Sequence, residues 1–112
     1  MTNNQFPLAV TEAANYADPD AFASDMLLSS AFIDPADDRA RPDFTKSPQL
    51  IAIWQTINAP FREFLKLVGL RQADLSRLYF IPLRTVQGWA LGEAQCAPYI
   101  RLMIARLQGY IK

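Results

Sequence analysis

The feature that most constrains this chain is a set of helix-start signals built on proline, some of them preceded by a residue that can cap a helix. These starts, and two glycines placed to end helices, lie along the whole sequence: Asp18-Pro19, Ser47-Pro48, Asn58-Ala59-Pro60, Pro98, Gly69 and Gly92. Between them apolar residues recur at helical spacing, as Leu50, Trp54 and Ile57 do. No segment has the alternation of a strand, so the sequence predicts an all-α fold.

The same signals predict a small helical domain of about five to six helices, preceded by an acidic N-terminal helical arm. The expected helices cover about 19–31, 47–58, 60–68, 71–79, 82–91 and 98–110. Residues 1–17 are weakly patterned, with at most a short helical turn at 11–16. Residues 33–46 are expected to form a loop or linker, because prolines and charges interrupt any period there. The predicted domains are therefore 1–46, the arm, and 47–112, the helical domain.

The charge of the chain is segregated, although its formal net charge is zero. Residues 1–58 carry eight acids and three bases, a net of −5, whereas residues 59–112 carry three acids and eight bases, a net of +5. A basic half beside an acidic half indicates that the basic half binds a polyanion. In the acidic half, Asp34, Asp37 and Asp38 are expected to be solvated, because no glycine turn accompanies them to build a cation loop.

Composition argues against several classes of protein. The chain has no histidine and a single cysteine, Cys96, which leaves no zinc site and no intramolecular disulfide. Without histidine, a glycine-rich phosphate loop or an activated nucleophile, an enzyme is not expected, and no metal or other cofactor is predicted. No apolar run approaches the roughly 18 residues of a membrane span, and the N-terminus has no secretory signal. These features predict a cytoplasmic protein without a membrane segment.

Residues 72–89 have the layout of a helix-turn-helix. Ser76 supplies the small residue that two crossing helices need, and Ile81 is expected to fill the turn. The first helix should bury Leu75 and Leu78, and the second Val86 and Trp89. The side chains left to face a DNA major groove are near the start of the second helix: Leu83, Arg84, Thr85 and Gln87, with Gly88 beside them. Three more are candidates for phosphate contacts beside the first helix: Gln72, Arg71 and Arg77.

Residues 69–92, GLRQADLSRLYFIPLRTVQGWALG, resemble the Cro/Xre type of phage-repressor helix-turn-helix. The matching positions are Gly69, Leu70, Gln72, Ser76, Ile81, Val86, Trp89 and Gly92. The resemblance extends over about 59–110. In this range the chain is similar to small regulators of bacteria and mobile elements, some of which carry an N-terminal extension. It implies sequence-specific binding of double-stranded DNA, usually by a homodimer and often in transcriptional control.

Three positions depart from the family pattern. Phe80 stands where the family commonly has Gly or Asn, which tolerate a left-handed turn. Arg71 replaces the usual Ser or Thr cap of the first helix, which removes about 1 kcal/mol of capping. Gly88 lies inside the presumed recognition helix, where it lowers helix propensity by up to about 1 kcal/mol and removes a base-contacting side chain.

Two functions therefore stay open at this point. One is a dimeric transcriptional regulator that contacts the major groove with helix 82–91. The alternative is a helix-turn-helix fold reused for protein contact, as in an antitoxin or a phage-encoded inhibitor of a host system. The acidic arm is expected to mediate dimerisation, to contact a protein partner, or to shield the basic face when DNA is absent.

Overall fold

A computed structural model describes residues 1–112 and contains seven α-helices, one short 3-10 helix and no strand. The helices, in chain order, are α1 (Gln5–Ala13), α2 (Pro19–Leu28), the 3-10 helix (Phe44–Lys46), α3 (Ser47–Asn58), α4 (Phe61–Val68), α5 (Gln72–Tyr79), α6 (Leu83–Leu91) and α7 (Pro98–Leu107). The predicted all-α class is confirmed. None of the helices has both the length and the apolar character that crossing a membrane requires.

The chain forms two compact units, Met1–Asn58 and Ala59–Lys112. The boundary falls where the net charge changes sign, so the first unit carries −5 and the second +5. It does not fall at residue 46, where the linker-like composition placed it. Helix α3 packs against α1 and α2, and it therefore belongs to the first unit.

In the first unit, helix α2 begins as its sequence predicts. The Asp18 carboxylate accepts a hydrogen bond from the Asp20 backbone N–H at 3.2 Å, and Pro19 occupies the first turn. The helix is shorter than predicted because Ser29 is extended (φ −75°, ψ 161°) and its hydroxyl donates back to the Met26 carbonyl at 2.6 Å. The buried core joins α2 to α3 through large side chains that include Phe22, Leu27, Leu50 and Ile53.

Helix α1 was missed by the sequence analysis, which predicted at most one helical turn in this region. Its buried face consists of the small residues Ala9 and Ala13, so it gives only a weak apolar period. Much of its order comes from contacts distant in sequence. The Asn58 amide donates to the Ala13 carbonyl at 3.0 Å, and the Gln5 amide donates to the Ala31 carbonyl at 3.0 Å. Tertiary contacts thus stabilise a helix that local pattern alone does not indicate.

In the second unit, the predicted helices α4 to α6 begin and end within a residue or two of their expected positions. Gly69 and Gly92 adopt the left-handed conformation (φ 77° and 78°) that ends α4 and α6. Helix α7 stops at Leu107 rather than near 110, because the chain turns at Gly109 with φ 76°. The core of this unit includes Phe64, Leu75, Val86 and Ile104.

The contact between the Trp54 indole and the chain entering α2 predicts a stability difference. The indole Nε1–H donates to the Tyr16 carbonyl at 2.9 Å, so Trp54→Phe leaves a partly buried carbonyl without this donor. We expect the variant to lose about 1–3 kcal/mol in free energy of unfolding, measured by urea denaturation followed by circular dichroism. Tyr16→Phe is the control, because it removes only an exposed hydrogen bond to Asp25 and should change stability far less. Equal losses in the two variants would contradict this role of the indole.

Candidate nucleic-acid interface

Helix α6 is held to its unit along one side only. Val86 is fully buried, and the Trp89 ring packs edge-on against the Phe61 ring, with centroids 5.4 Å apart. At the end of the helix the Arg62 guanidinium donates to the Ala90 carbonyl at 3.1 Å. The apolar positions expected to anchor this helix, Val86 and Trp89, do so.

The opposite side of α6 is exposed, and it carries three of the four side chains predicted to contact bases, with Thr85 on its flank. Leu83, Arg84, Thr85 and Gln87 are solvent-exposed. Arg84 and Gln87 form no hydrogen bond or ion pair within the chain, so their donors and acceptors are available to a ligand. Thr85 differs from the others, because it also lines an apolar groove that continues towards α7.

The turn between α5 and α6 is built around Ser76. Its carbonyl accepts hydrogen bonds from the backbone N–H groups of Phe80 and Ile81, and its hydroxyl donates to the Ile81 carbonyl at 2.6 Å. The hydroxyl of this small residue adds a bond that alanine would lack. Pro82 then precedes α6, and its carbonyl accepts from the Thr85 and Val86 N–H groups.

Phe80 is the one residue other than glycine with a positive φ, at 56° with ψ 37°. Left-handed backbone costs roughly 1–2 kcal/mol in a residue with a side chain. The turn is therefore built in the conformation that Gly or Asn favours, and the Phe80 backbone is strained. Its ring is 94% exposed, so packing within the unit does not offset the strain.

The inward face of α5 differs from the predicted one. Leu75 is fully buried, but Leu78, which was expected to be buried with it, is 58% exposed. Tyr79 takes the inward position instead, four residues after Leu75, and its hydroxyl donates to the Gln108 side-chain oxygen at 2.6 Å. The prediction of Leu78 at i+3 is wrong, since α5 turns the half-buried Tyr79 at i+4 inward.

Both arginines predicted to contact phosphate are ion-paired to Asp74. The Arg71 Nε–H lies 3.0 Å from one carboxylate oxygen of Asp74, and an Arg77 Nη2–H lies 2.7 Å from the other. Asp74 also accepts a bond from the Arg71 backbone N–H at 3.1 Å, which restores part of the capping that an arginine N-cap lacks. These bonds, first of all those from Arg71, hold the pKa of Asp74 down at about 2.

A shallow basic depression lies at the start of α5, with a volume of about 370 Å³. Gln72 lines it together with Arg71, and so do Arg62 and Lys66 from α4. The arginine at the N-cap position has no acceptor in its side chain, so it offers none to the first N–H groups of α5. Lys66 was not among the predicted residues. Lys66 is on α4 and Gln72 begins α5, so their proximity is apparent only once the two helices are placed side by side.

The pairing of Asp74 predicts a pH dependence. Its pKa is lowered from 3.8 to about 2, so its contribution to stability is complete above pH 4 and is lost as the pH falls towards 2. We expect Asp74→Asn to unfold at a lower urea midpoint than the unsubstituted protein at pH 5, and the difference to shrink as the pH falls from 4 through about 2. A difference that stays constant from pH 5 to 2 would show that the carboxylate is not held by these bonds.

Gly88 predicts a gain in stability. A Cβ at this position would meet no atom within 4 Å, and the residue lies inside α6. Gly88→Ala should therefore raise the free energy of unfolding by up to about 1 kcal/mol, measured by chemical denaturation. Gly92→Ala is the matched control, because it also has space for a Cβ but needs φ 78°, and it should destabilise. A loss of stability on Gly88→Ala would mean that α6 has a packing constraint at this point.

Comparison of the chain with models of protein families, with curated proteins and with solved structures finds no match. The function of the chain is therefore inferred from the chemistry of its own side chains, above all those exposed on α6 and those that line the depression at the start of α5.

Proposed function

We propose that the second unit binds double-stranded DNA and that α6 enters the major groove. In this proposal Arg84 donates two hydrogen bonds to a guanine edge and Gln87 pairs with an adenine. Leu83 and the methyl group of Thr85 contact thymine methyl groups. The protein is a binding protein in transcriptional control and not an enzyme.

The observation that carries this proposal is the division of α6 into an anchored side and a free side. Val86 and Trp89 hold the helix, while Arg84 and Gln87 stand on the exposed side with no partner in the chain. A long, unpaired guanidinium and amide on one exposed helix face are the donors and acceptors that base edges require. The net charge of +5 on this unit supplies the attraction to a phosphate backbone.

Phosphate contacts are proposed at the start of α5, by Gln72, Arg71 and Arg77. The two arginines are exposed, but each would have to share or leave Asp74 in order to bind a phosphate. Asp74 therefore lowers the affinity for any phosphate backbone, whatever its sequence. Gln72 has no such competitor, and it lies in the depression that Lys66 also lines.

A second copy is needed for a two-fold symmetric operator. Two α6 helices would then occupy successive major grooves about 34 Å apart. A homodimer also doubles the number of base contacts. One short helix with four exposed side chains cannot make that many contacts alone.

A protein-binding function is the second candidate, and one observation favours it. The unit that carries α6 also exposes an apolar groove between α6 and α7, and apolar grooves are more typical of protein contacts than of DNA contacts. The acidic first unit offers a further surface for a protein partner. In this case α6 would be a scaffold element, as in antitoxins or inhibitors that reuse a DNA-binding fold.

Arg84→Ala tests the assignment to DNA bases. Duplexes selected from a randomised library are titrated with the protein, and binding is followed by fluorescence anisotropy at several salt concentrations. We expect the variant to lose roughly 1–3 kcal/mol on the selected duplex and to lose its preference at one base position. Lys112→Ala is the charge-matched control at the end of the second unit, and it should weaken all duplexes slightly and equally.

The phosphate assignments have a separate signature. Arg71→Ala should lower the slope of log affinity against log salt by about 1, without changing sequence preference. Asp74→Asn should raise the affinity for every duplex, because it releases both arginines. If Arg84→Ala weakens all duplexes equally, the base-contacting role is wrong. If the protein binds no duplex even at low salt, the second candidate takes the place of the first.

A further inference from the structure

The second unit has an apolar groove that its own helices leave open. The groove has a volume of about 500 Å³ and lies between the turn after α5, helix α6 and helix α7. Phe80, Thr85, Trp89, Tyr99, Met103 and Leu107 are among the residues that line it, and no charged residue does. This is unusual in a unit with eight basic and three acidic residues.

One wall of the groove continues outward as a ridge on α7. Tyr99, Met103 and Leu107 follow one another at intervals of four, so they lie along one side of the helix. Their side chains are 66%, 60% and 66% exposed. A helix that exposes three large apolar residues in line has the pattern of a helix that packs against another.

Phe80 stands at the rim of this groove and combines two unfavourable features. Its backbone is left-handed, and almost the whole of its ring is in water. Glycine or asparagine at this turn would avoid both. Within the unit nothing compensates for a phenylalanine here, so burial of its ring against another surface would offset a cost that the unit alone leaves standing.

We propose that the groove and the ridge are the contact surface between two copies of this chain, with Phe80 of each copy packed against the α7 wall of the other's groove, which leaves Thr85 on the α6 wall to the DNA. The inference deepens the proposed function, since a two-fold operator needs two copies, but it rests on the surface alone. A projecting ring and an apolar groove on the same unit are self-complementary, which a two-fold symmetric contact requires.

The size of the surface fits a dimer. With about 200 Å² for each large side chain when fully exposed, Phe80 and the three ridge residues together expose roughly 550 Å². The groove walls that the partner covers add to this area and bring the buried surface towards the roughly 800 Å² per partner of a standard interface. The absence of charge in the groove matters here, because two units of like net charge can meet there without bringing like charges into contact.

Symmetry predicts which residue lies at the centre. In a two-fold contact along α7, the middle of the ridge faces its own counterpart, while the two ends exchange places. Met103 is that middle residue, so it should lie near the two-fold axis. Tyr99 of one copy then lies opposite Leu107 of the other.

The test is the oligomeric state of the full chain in the absence of DNA. Sedimentation equilibrium from 1 to about 200 μM should give a dimer of twice 12.6 kDa, and Met103→Glu and Phe80→Asn should each raise its dissociation constant at least tenfold. Phe80→Asn relieves the left-handed strain, so each copy of the full chain should fold at least as well while it dimerises less. Leu28→Glu and Phe44→Asn are matched controls, since both residues are 60% exposed in the first unit, and they should change the constant less than threefold.

A disulfide trap checks the geometry. Met103→Cys should form an intermolecular disulfide under mild oxidation, whereas Leu28→Cys should not. Burial raises the pKa of the native Cys96 thiol to about 11, which keeps it out of this reaction. Crosslinking through Leu28→Cys at an equal rate would place the contact elsewhere.

Each contrary result overturns the proposal. A chain that is monomeric over the whole range would leave the groove to a small molecule or to another protein. A dimer that survives both Met103→Glu and Phe80→Asn would use another surface. The function is judged separately, since a dimer that binds no duplex refutes DNA binding alone, and a monomer that binds a duplex refutes the interface alone.

Discussion

The packing around Phe61 is the interaction on which the second unit depends. Its ring contacts Trp89 of α6, lies 6.0 Å from the Phe64 ring within α4, and lies under the Arg101 guanidinium of α7 at 5.8 Å. Arg101 also donates to the Ala59 carbonyl at 2.7 Å, which ties the start of the unit to the same cluster. One aromatic ring thus joins three helices. Because α6 is attached through Trp89 on this side, its other side is left for a ligand.

Much of this fold could be predicted from local chemistry. The start of α2 and the end of α4 are signalled by a cap, a proline and a glycine that act within one or two turns. The expected Ser47 cap of α3 does not form, because Ser47 is already helical and continues the 3-10 helix before it. Features that depend on distant contacts could not be predicted. Helix α1 buries only small residues, so its apolar period is weak. Helix α3 belongs to the first unit because it packs against α1 and α2, and its own sequence does not reveal these partners. The choice between Leu78 and Tyr79 was decided by a hydrogen bond to Gln108, twenty-nine residues away.

The candidate site shows a similar limit. Which α6 residues are exposed followed from the positions of Val86 and Trp89, because one anchored face defines the other. The state of the arginines did not follow from their number. Arg71 and Arg77 share Asp74, and Arg101 lies half-buried over aromatic rings, where burial lowers its pKa. The count of basic residues therefore overstates the charge that is free to meet a phosphate, although the motif i, i+3, i+6 of Arg71, Asp74 and Arg77 is visible in the sequence once it is sought.

The change of sign at residue 58 has a kinetic consequence. At physiological ionic strength charges are screened beyond about 8 Å. At longer distances the charges of the two units also cancel, so a polyanion meets a chain with almost no net charge. The chain should therefore gain little from electrostatic steering, and its encounters with a nucleic acid should occur at the rate of a neutral protein. Attraction would begin only once the basic unit is within a few ångströms of the backbone. Complex lifetime, rather than speed of approach, would then determine how tightly it binds.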